Sequence, residues 1–209
     1  MTATLVRPQN RPVTEREFWQ FLREYDGCQL YEQVDGWIRV MAEPSMPHER
    51  LRTRLWFWLE SHISQNQLLF ETHPKMLCRL GEGNQRRPDL LVVGQAVLER
   101  CDRKAAILTE PPQIAIEIVS TNWEDDYIKK SLDYARFGIV EYWVADLLLQ
   151  VETYPSHKHP DIKLPTVAVG TLDAGEYRWQ QFTGKDRILS PTFPDLNLTV
   201  DQWVAAANA

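Results

Sequence analysis

The sequence is poor in cysteine and lacks any paired-cysteine motif. Its three cysteines, Cys28, Cys78 and Cys101, are odd in number and far apart, and no CxxC occurs. This pattern is typical of free thiols in a reducing compartment, and it argues against a disulfide framework or a zinc site.

Long apolar runs and excess positive charge are also missing. No run approaches the roughly 20 apolar residues of a membrane-spanning helix, and residues 1–12 lack the apolar core of a signal peptide. We therefore expect a cytoplasmic protein without membrane contact. The net charge of −6 argues against a general nucleic-acid coat protein, which would be basic. It does not exclude a nuclease, in which a metal and a few local cations hold the substrate.

Several compact catalytic and nucleotide-binding motifs are absent. The segment Gly81-Glu82-Gly83 has neither the third glycine of a dinucleotide-binding loop nor the GK[ST] ending of a phosphate-binding loop. Ser120 lacks the glycines of a nucleophile elbow. The helix start His48-Glu49 lacks the second histidine of a zinc protease. His157, His159 and Asp161 fall in a proline-rich stretch, which predicts a solvated loop instead of a metal site.

What is present is an ordinary globular composition. The chain has 209 residues, of which 44% are hydrophobic and 25% charged, enough to bury a core within one domain. We predict a flexible N-terminal arm over 1–12 and a single domain over 13–209.

Local patterns predict alternating helices and strands. Helices are predicted over about 15–25, 47–64, 123–137 and 199–207. Strands are predicted over 29–34, 37–42, 68–72, 75–80, 87–93, 104–109, 114–120, 140–145, 148–154, 164–171 and 176–182. A Thr14–Glu17 capping box begins the first helix, Asp35-Gly36 is a hairpin turn, and Gly138 ends the third helix. The order indicates an α/β (α+β) fold with a mixed sheet, helices on the sheet faces and additional β-hairpins.

Two strand-like apolar runs each contain one acidic residue. Asp89 interrupts Arg87–Val93, and Glu117 interrupts Ile114–Ser120. Burying a carboxylate in such a run is costly unless something pairs it. Two of them predict one shared partner, and a divalent metal is the natural candidate because hard cations prefer oxygen ligands. The pattern points to metal-assisted chemistry on a phosphate ester.

The two acidic residues can meet if their strands are neighbours. Side chains alternate along a strand, so Glu117 shares a face with Ala115 and Val119. Asp89 follows Pro88, which marks the beginning or edge of a strand because it cannot donate to a ladder. Close together, the two carboxylates would repel unless a cation held them. Mg²⁺ or Mn²⁺ is the expected cofactor.

The third helix supplies a lysine beside this pair. Asp126, Lys130 and Tyr134 share one helix face through i,i+4 spacing, so Lys130 could reach the carboxylates and assist a water molecule or neutralise charge. The neighbouring face is apolar and is predicted to lie on the sheet, with Ile128, Leu132 and Ala135.

Six short motifs of the chain resemble, in their order and spacing, the motifs of a known family. They are Pro88-Asp89, Glu117-Ile118-Val119-Ser120, Asp126-x3-Lys130-x3-Tyr134-Ala135, Val140-Glu141-Tyr142-Trp143-Val144, Tyr31-Glu32-x2-Asp35-Gly36 and Pro47-His48. Over about residues 25–200 the chain resembles the Uma-two family. That family is common in cyanobacteria and assigned to the PD-(D/E)XK restriction-endonuclease-like superfamily.

The resemblance implies a restriction-endonuclease-like core with a metal-dependent nuclease site. Asp89, Glu117 and the backbone carbonyl of Ile118 would bind the metal, and Lys130 would replace the lysine of the strand. The sequence departs from the wider superfamily because Val119 stands where that lysine is usual. Nucleic acid is the implied partner, and DNA is the expected one.

The resemblance also implies supporting residues around the metal. Glu32 matches the family's first-strand glutamate and would hold water or a second metal, although a structural role on its hairpin is equally compatible with the sequence. His48 matches a recurrent family position, and the alternative is a residue that only begins the helix. Asp126 and Tyr134 would support Lys130 and the site.

Structural alternatives exist for each central residue. Asp89 could pair with Arg86 or Arg87 at the start of its strand. Glu117 could be the structural partner of a buried arginine or lysine. Lys130 could form a solvated pair with its i−4 neighbour, a contact worth only a few tenths of a kcal/mol.

Two other functions compete with a nuclease. One is a catalytically inactive module that binds nucleic acid or protein on the same fold. In that case the missing strand lysine would reflect lost catalysis. The other is a purely structural oligomer subunit, suggested by eight tryptophans. We expect Trp56, Trp58, Trp143 and Trp179 to lie in the core or in a homodimer surface, and stacking on nucleic-acid bases is the alternative.

Overall fold

Two mixed β-sheets form the frame of the protein. The computed structural model describes residues 10–101, 106–120, 123–147 and 164–208. The helices are α1 (Glu15–Glu24), α2 (Met46–Gln65), α3 (Gln95–Arg100), α4 (Lys130–Phe137) and α5 (Val200–Asn208), with a π-helical stretch (Asp125–Lys129) leading into α4. The strands are β1 (Tyr31–Val34), β2 (Trp37–Val40), β3 (Phe70–His73), β4 (Leu77–Gly81), β5 (Asn84–Arg86), β6 (Leu90–Gly94), β7 (Ile107–Leu108), β8 (Ile114–Ile118), β9 (Glu141–Asp146), β10 (Thr166–Asp173) and β11 (Glu176–Thr183).

The larger sheet carries the apolar runs that contained the acidic residues. Its strand order is β11-β10-β9-β8-β6-β3. β8 pairs antiparallel with β6 and parallel with β9, so both neighbours of β8 are core strands. The predicted alternation along β8 is confirmed, because Ile114, Ile116 and Ile118 enter one apolar cluster while Ala115 enters the other.

Helix α2 covers one face of this sheet together with α5. The predicted helical repeat Leu51, Leu55 and Leu59 is buried there. Trp203 of α5 is fully buried beside it and donates its indole N–H to the carbonyl of Leu51 at 2.8 Å. The other face of the sheet packs against α4 and the smaller sheet.

The smaller sheet has the order β2-β1-β5-β4-β7. The Asp35-Gly36 hairpin is confirmed, with Asp35 at φ 50° and Gly36 at φ 80°. The Thr14–Glu17 capping box also forms, and α1 packs Phe18 and Phe21 against this sheet. Strand β5 was not predicted, because its three polar residues lack apolar alternation.

The apolar face predicted for the third helix is confirmed at Ala135 and wrong at Ile128 and Leu132. Ile128 is 50% exposed and Leu132 is 52% exposed, whereas Asp126, Tyr134 and Ala135 are buried. The π-helical stretch, in which the Lys130 N–H bonds to the carbonyl of Asp125, changes the helical register ahead of α4. The face with Asp126, Lys130 and Tyr134 lies toward the sheet, where Lys130 and Tyr134 contact Glu117. Gly138 at φ 91° ends the helix as predicted.

Other predictions have mixed outcomes. Trp143 is fully buried, Trp56 and Trp58 pack partly buried against the core, and Trp179 is 38% exposed.

Helix α3 was missed. The strand predicted over 148–154, the loop with His157, His159 and Asp161, and most of the predicted arm lie outside the described residues. Within the described ranges, the chain contains no helix of the length and apolarity needed to cross a bilayer.

Candidate active site

Strands β6 and β8 bring the two predicted acidic residues together. The strands pair antiparallel, with Leu90 opposite Ile116. One position further along, Asp89 comes opposite Glu117. The backbone N–H of Ile118 donates to Oδ2 of Asp89 at 2.8 Å, so β8 itself fixes the orientation of the Asp89 carboxylate. Both carboxylates are buried.

Asp89 is surrounded by donors. Its Oδ2 also lies 3.0 Å from Nε2 of His48, at the first turn of α2, and its Oδ1 accepts a hydrogen bond from the ammonium of Lys75. Burial would raise the pKa of Asp89, but the hydrogen bond and charge of His48, with the charges of Lys75 and Lys130, hold that pKa far below its usual value. Asp89 is therefore a carboxylate at any physiological pH.

Glu117 has two partners from the third helical segment. The hydroxyl of Tyr134 donates to its Oε1 at 2.6 Å, and Nζ of Lys130 lies 2.9 Å from its Oε2. Burial raises the pKa of Glu117 to about 8, and the charges of Asp89 and Asp126 act in the same direction. Lys130 and Tyr134 oppose this shift without cancelling it, because several acidic groups share one low-dielectric region.

Lys130 bridges two buried carboxylates. Its ammonium donates to Oδ1 of Asp126 at 2.8 Å while also contacting Glu117. Burial would lower the pKa of Lys130, but Asp126 and Glu117 outweigh it and hold that pKa well above the ordinary value. Tyr142 completes this corner, since its hydroxyl donates to the carbonyl of Asp126 at 2.6 Å. The alternative of a solvated Asp126–Lys130 pair is wrong, because both groups face the sheet.

Glu32 lies beside the pair but contacts arginine. Its Oε1 accepts from the backbone N–H of Arg87 at 2.6 Å, and its Oε2 lies 3.7 Å from Nη1 of Arg86. Arg86 is almost fully buried and also bonds to Asp125 and Asp133 at 3.1–3.2 Å. The alternative pairing of Asp89 with Arg86 or Arg87 is wrong. Both guanidinium groups are engaged elsewhere.

Acidic groups outnumber basic groups around this cluster. The carboxylates are Glu32, Asp89, Glu117, Asp125, Asp126 and Asp133, and the cations are Lys75, Arg86, Arg87 and Lys130. When all of these groups are ionised, two negative charges remain unbalanced, or one if His48 also carries a proton. Among the described residues, Oδ1 of Asp125 is also buried without a hydrogen-bond donor. A divalent cation would offset this excess, and the oxygens of Asp89, Glu117 and Ile118 are of the type that Mg²⁺ accepts.

The predicted set of metal ligands contains only two acidic side chains, Asp89 and Glu117. Accordingly, the part of the chain that the structure describes has no group of three or more His, Cys, Asp or Glu residues arranged to hold a metal. The third ligand in the predicted set is a backbone carbonyl, which such a group of side chains does not include. Two carboxylates and one carbonyl would leave the remaining positions of a hard cation to water ligands.

Sequence reasoning missed Lys75 and Arg86. Lys75 lies in the turn between β3 and β4, in the left-handed region at φ 54°, and no periodic pattern marks it. Arg86 was considered only as a partner of Asp89. Its position three residues before Asp89, on the strand next to that of Glu32, was the available signal.

Two comparisons place the chain among known proteins, and no curated protein matches it. The first is a crystal structure described as "a putative nuclease belonging to DUF820" from Anabaena variabilis. It is 18% identical, with a TM-score of 0.71, and the match covers 94% of this chain and 99% of that one. At this identity the match shows a shared fold. The second is the model of the Uma2 family, described as "Putative restriction endonuclease", which matches residues 18–201. The chain therefore belongs to the Uma2 family.

Proposed function

We propose that the protein is a metal-dependent nuclease that hydrolyses phosphodiester bonds in nucleic acid, with DNA as the substrate and Mg²⁺ or Mn²⁺ as the cofactor. The observation that carries the proposal is the meeting of Asp89, Glu117 and Lys130 in one buried, acid-rich cluster. Family membership and the shared nuclease-like fold support it.

Each residue of the cluster has a proposed role. Asp89, Glu117 and the backbone carbonyl of Ile118 would hold the metal. Lys130 neutralises Glu117 and Asp126, since its ammonium contacts both carboxylates. Its proposed role is electrostatic, because a lysine whose pKa is raised is a poor base.

The surrounding groups position these residues. His48 and Ile118 orient Asp89 through its Oδ2, and Tyr134 orients Glu117 through its Oε1. Asp126 places the Lys130 ammonium. Glu32 holds the turn before Asp89 through the backbone of Arg87.

The proposed reaction is hydrolysis. A water oxygen bonds to phosphorus, the P–O bond to one sugar oxygen breaks, one water proton passes to that oxygen and the other is released to solvent. A bound Mg²⁺ would supply Lewis-acid chemistry that offsets the charge developing on the phosphate. Lys130 contributes a fixed positive charge close to the two metal-binding carboxylates.

Cleavage of supercoiled plasmid DNA tests the proposal. The wild-type protein is incubated with Mg²⁺ or Mn²⁺, alongside Asp89→Asn and the control variant Asp195→Asn, which changes an exposed carboxylate. We expect nicking by the wild type and the control, and at least about 10²-fold slower nicking by Asp89→Asn. A matched single-stranded RNA compares the two classes of nucleic acid.

Equal nicking by all three proteins would indicate a contaminating nuclease and remove the proposal. Chelation with EDTA should abolish cleavage by the wild type. Activity that survives chelation would contradict metal dependence.

One observation favours the alternative of a catalytically inactive binding module. All four oxygens of Asp89 and Glu117 already accept hydrogen bonds or contact cations within the protein. Calorimetry discriminates the two functions, because the module should show no saturable binding of Mg²⁺ at low-millimolar concentration while still binding nucleic acid. The homodimer stays a prediction that light scattering can test.

A further inference from the structure

Lys75 is the most solvent-exposed of the cations that contact the two central carboxylates. Its side chain is 22% exposed, compared with 12% for Lys130, and Asp89 and Glu117 are both buried. Its ammonium contacts Oδ1 of Asp89, the carboxylate oxygen that neither His48 nor Ile118 uses. Lys75 therefore covers the one oxygen of Asp89 that is not fixed by the rest of the fold.

The backbone of Lys75 is held on both sides. Its N–H donates to the carbonyl of Pro88 at 3.1 Å, and its own carbonyl accepts from Nη1 of Arg87 at 2.9 Å. Both partners immediately precede Asp89 in the chain. The turn is thus fixed to the site, and the long side chain is the part that can move.

Lys75 and Lys130 differ in what holds them. Lys130 lies between two carboxylates, Glu117 and Asp126, whereas Asp89 is the one carboxylate in contact with Lys75 within the described residues. Moving the Lys130 ammonium would leave two buried acids without their cation. Moving the Lys75 ammonium outward would leave only Asp89, which keeps His48 and the Ile118 N–H.

We propose that Lys75 is a displaceable counter-ion of Asp89, which leaves Oδ1 when that oxygen takes a divalent cation and then contacts a non-bridging oxygen of the substrate phosphate. The proposal rests on the metal-dependent nuclease function proposed above. It assigns a second lysine to that site, one whose ammonium contacts the oxygen of Asp89 that the metal would take. Because an ammonium and a metal ion compete for the same oxygen, Lys75 weakens metal binding, and because its charge then meets the phosphate, it speeds cleavage.

Titration calorimetry with Mg²⁺ alone tests the competition. The variants are Lys75→Met, which keeps the apolar stem and removes the charge, Asp89→Asn, and the control Lys185→Met at an exposed lysine. We expect Lys75→Met to bind Mg²⁺ about tenfold more tightly than wild type, since one unit charge is removed beside the ligand oxygen. Lys185→Met should match the wild type. Equal or weaker binding by Lys75→Met overturns the proposal while leaving metal binding intact.

Failure of the underlying function gives a different result. If the wild type, Lys75→Met and Asp89→Asn all bind no Mg²⁺, the metal-dependent nuclease is wrong and the role of Lys75 falls with it. Circular dichroism before each titration confirms that the variants are folded.

Amine labelling distinguishes a displaceable Lys75 from a purely structural one, because only a displaceable lysine should change its labelling rate when Mg²⁺ binds. Lys75 is acylated with an amine-reactive reagent with and without saturating Mg²⁺, and the modified fraction is measured by mass spectrometry. We expect Mg²⁺ to increase the labelling rate of Lys75 several-fold in the wild type and to leave Lys185 unchanged. In Asp89→Asn, Lys75 should label rapidly in both conditions. No response of Lys75 in a wild-type protein that binds Mg²⁺ overturns the displacement.

Cleavage kinetics test the second half of the role. At saturating Mg²⁺, Lys75→Met should lower kcat about 10²-fold despite its tighter metal binding, and Lys75→Arg should recover part of that loss. Tighter metal binding with slower cleavage is a combination that simple loss of structure does not produce. Unchanged kcat in Lys75→Met overturns the contact with phosphate.

Discussion

The hydroxyl of Tyr134 donates a hydrogen bond of 2.6 Å to Oε1 of Glu117, and both groups are buried. This contact joins α4 to the central strand β8 at the point where Lys130 reaches the same carboxylate. The orientation of Glu117 therefore depends on the packing of a helix whose Lys130 was expected to reach the carboxylates, but whose Ile128 and Leu132 were wrongly expected to lie on the sheet.

Replacing Tyr134 with phenylalanine should affect both stability and cleavage. Without the hydroxyl, Oε1 of Glu117 stays buried with no donor, which costs about 1–3 kcal/mol of unfolding free energy. Urea denaturation measures this loss. The control is Tyr177→Phe, which removes a buried hydroxyl that bonds to the carbonyl of Ile139 at 2.7 Å, away from the carboxylates. Only Tyr134→Phe should slow plasmid cleavage, and equal slowing by both variants would contradict a positioning role for Tyr134.

Arg86 should be among the most important charged residues for stability. Its guanidinium is 1% exposed and lies among Glu32, Asp125 and Asp133. Arg86→Met leaves these acids without their shared cation, and removal of one partner from a buried network costs about 3–5 kcal/mol. Arg100→Met breaks an exposed pair with Glu110 and should leave the urea midpoint unchanged. Similar urea midpoints for the two variants would show that burial does not determine how much the arginine charge stabilises the fold.

The carboxylate pair was predictable because it violates a local rule. Acidic residues in β-branched runs stand out against the apolar pattern, so Asp89 and Glu117 could be found from the sequence. Their meeting depended on β6 and β8 being neighbours, which no local pattern determines. Lys75 could not be found, because it lies in a turn and reaches Asp89 only through the pairing of β3 with β6.

The face of α4 shows a second limit. An amphipathic pattern predicts that the apolar side is buried, and this rule held for Leu51, Leu55 and Leu59 in α2. In α4 it held for Ala135 and failed for Leu132, because the sheet presents Glu117 there, and Lys130 and Tyr134 stabilise a buried carboxylate more than an apolar side chain would. The polar face of α4 therefore packs against the sheet at Glu117.

This inversion predicts unequal effects of two leucine substitutions. Leu132→Ala on α4 changes a half-exposed side chain and should alter the unfolding free energy by less than about 0.5 kcal/mol. Leu55→Ala on α2 removes a fully buried side chain and should cost about 2–5 kcal/mol. Urea denaturation of both variants measures the difference. A loss of several kcal/mol for Leu132→Ala would indicate that α4 packs by its apolar side after all.

Removal of the Lys130 charge should make the protein depend on divalent metal for stability. Lys130→Met leaves Glu117 and Asp126 buried without their shared ammonium, which costs about 3 kcal/mol or more. Because a bound cation restores positive charge in the same region, Mg²⁺ should raise the melting temperature of Lys130→Met more than that of the wild type. The control Lys129→Met alters the adjacent, exposed lysine and should respond to Mg²⁺ as the wild type does. Thermal unfolding with and without Mg²⁺ gives the comparison, and an equal or smaller metal response in Lys130→Met would mean that Lys130 and the metal do not act on the same carboxylates.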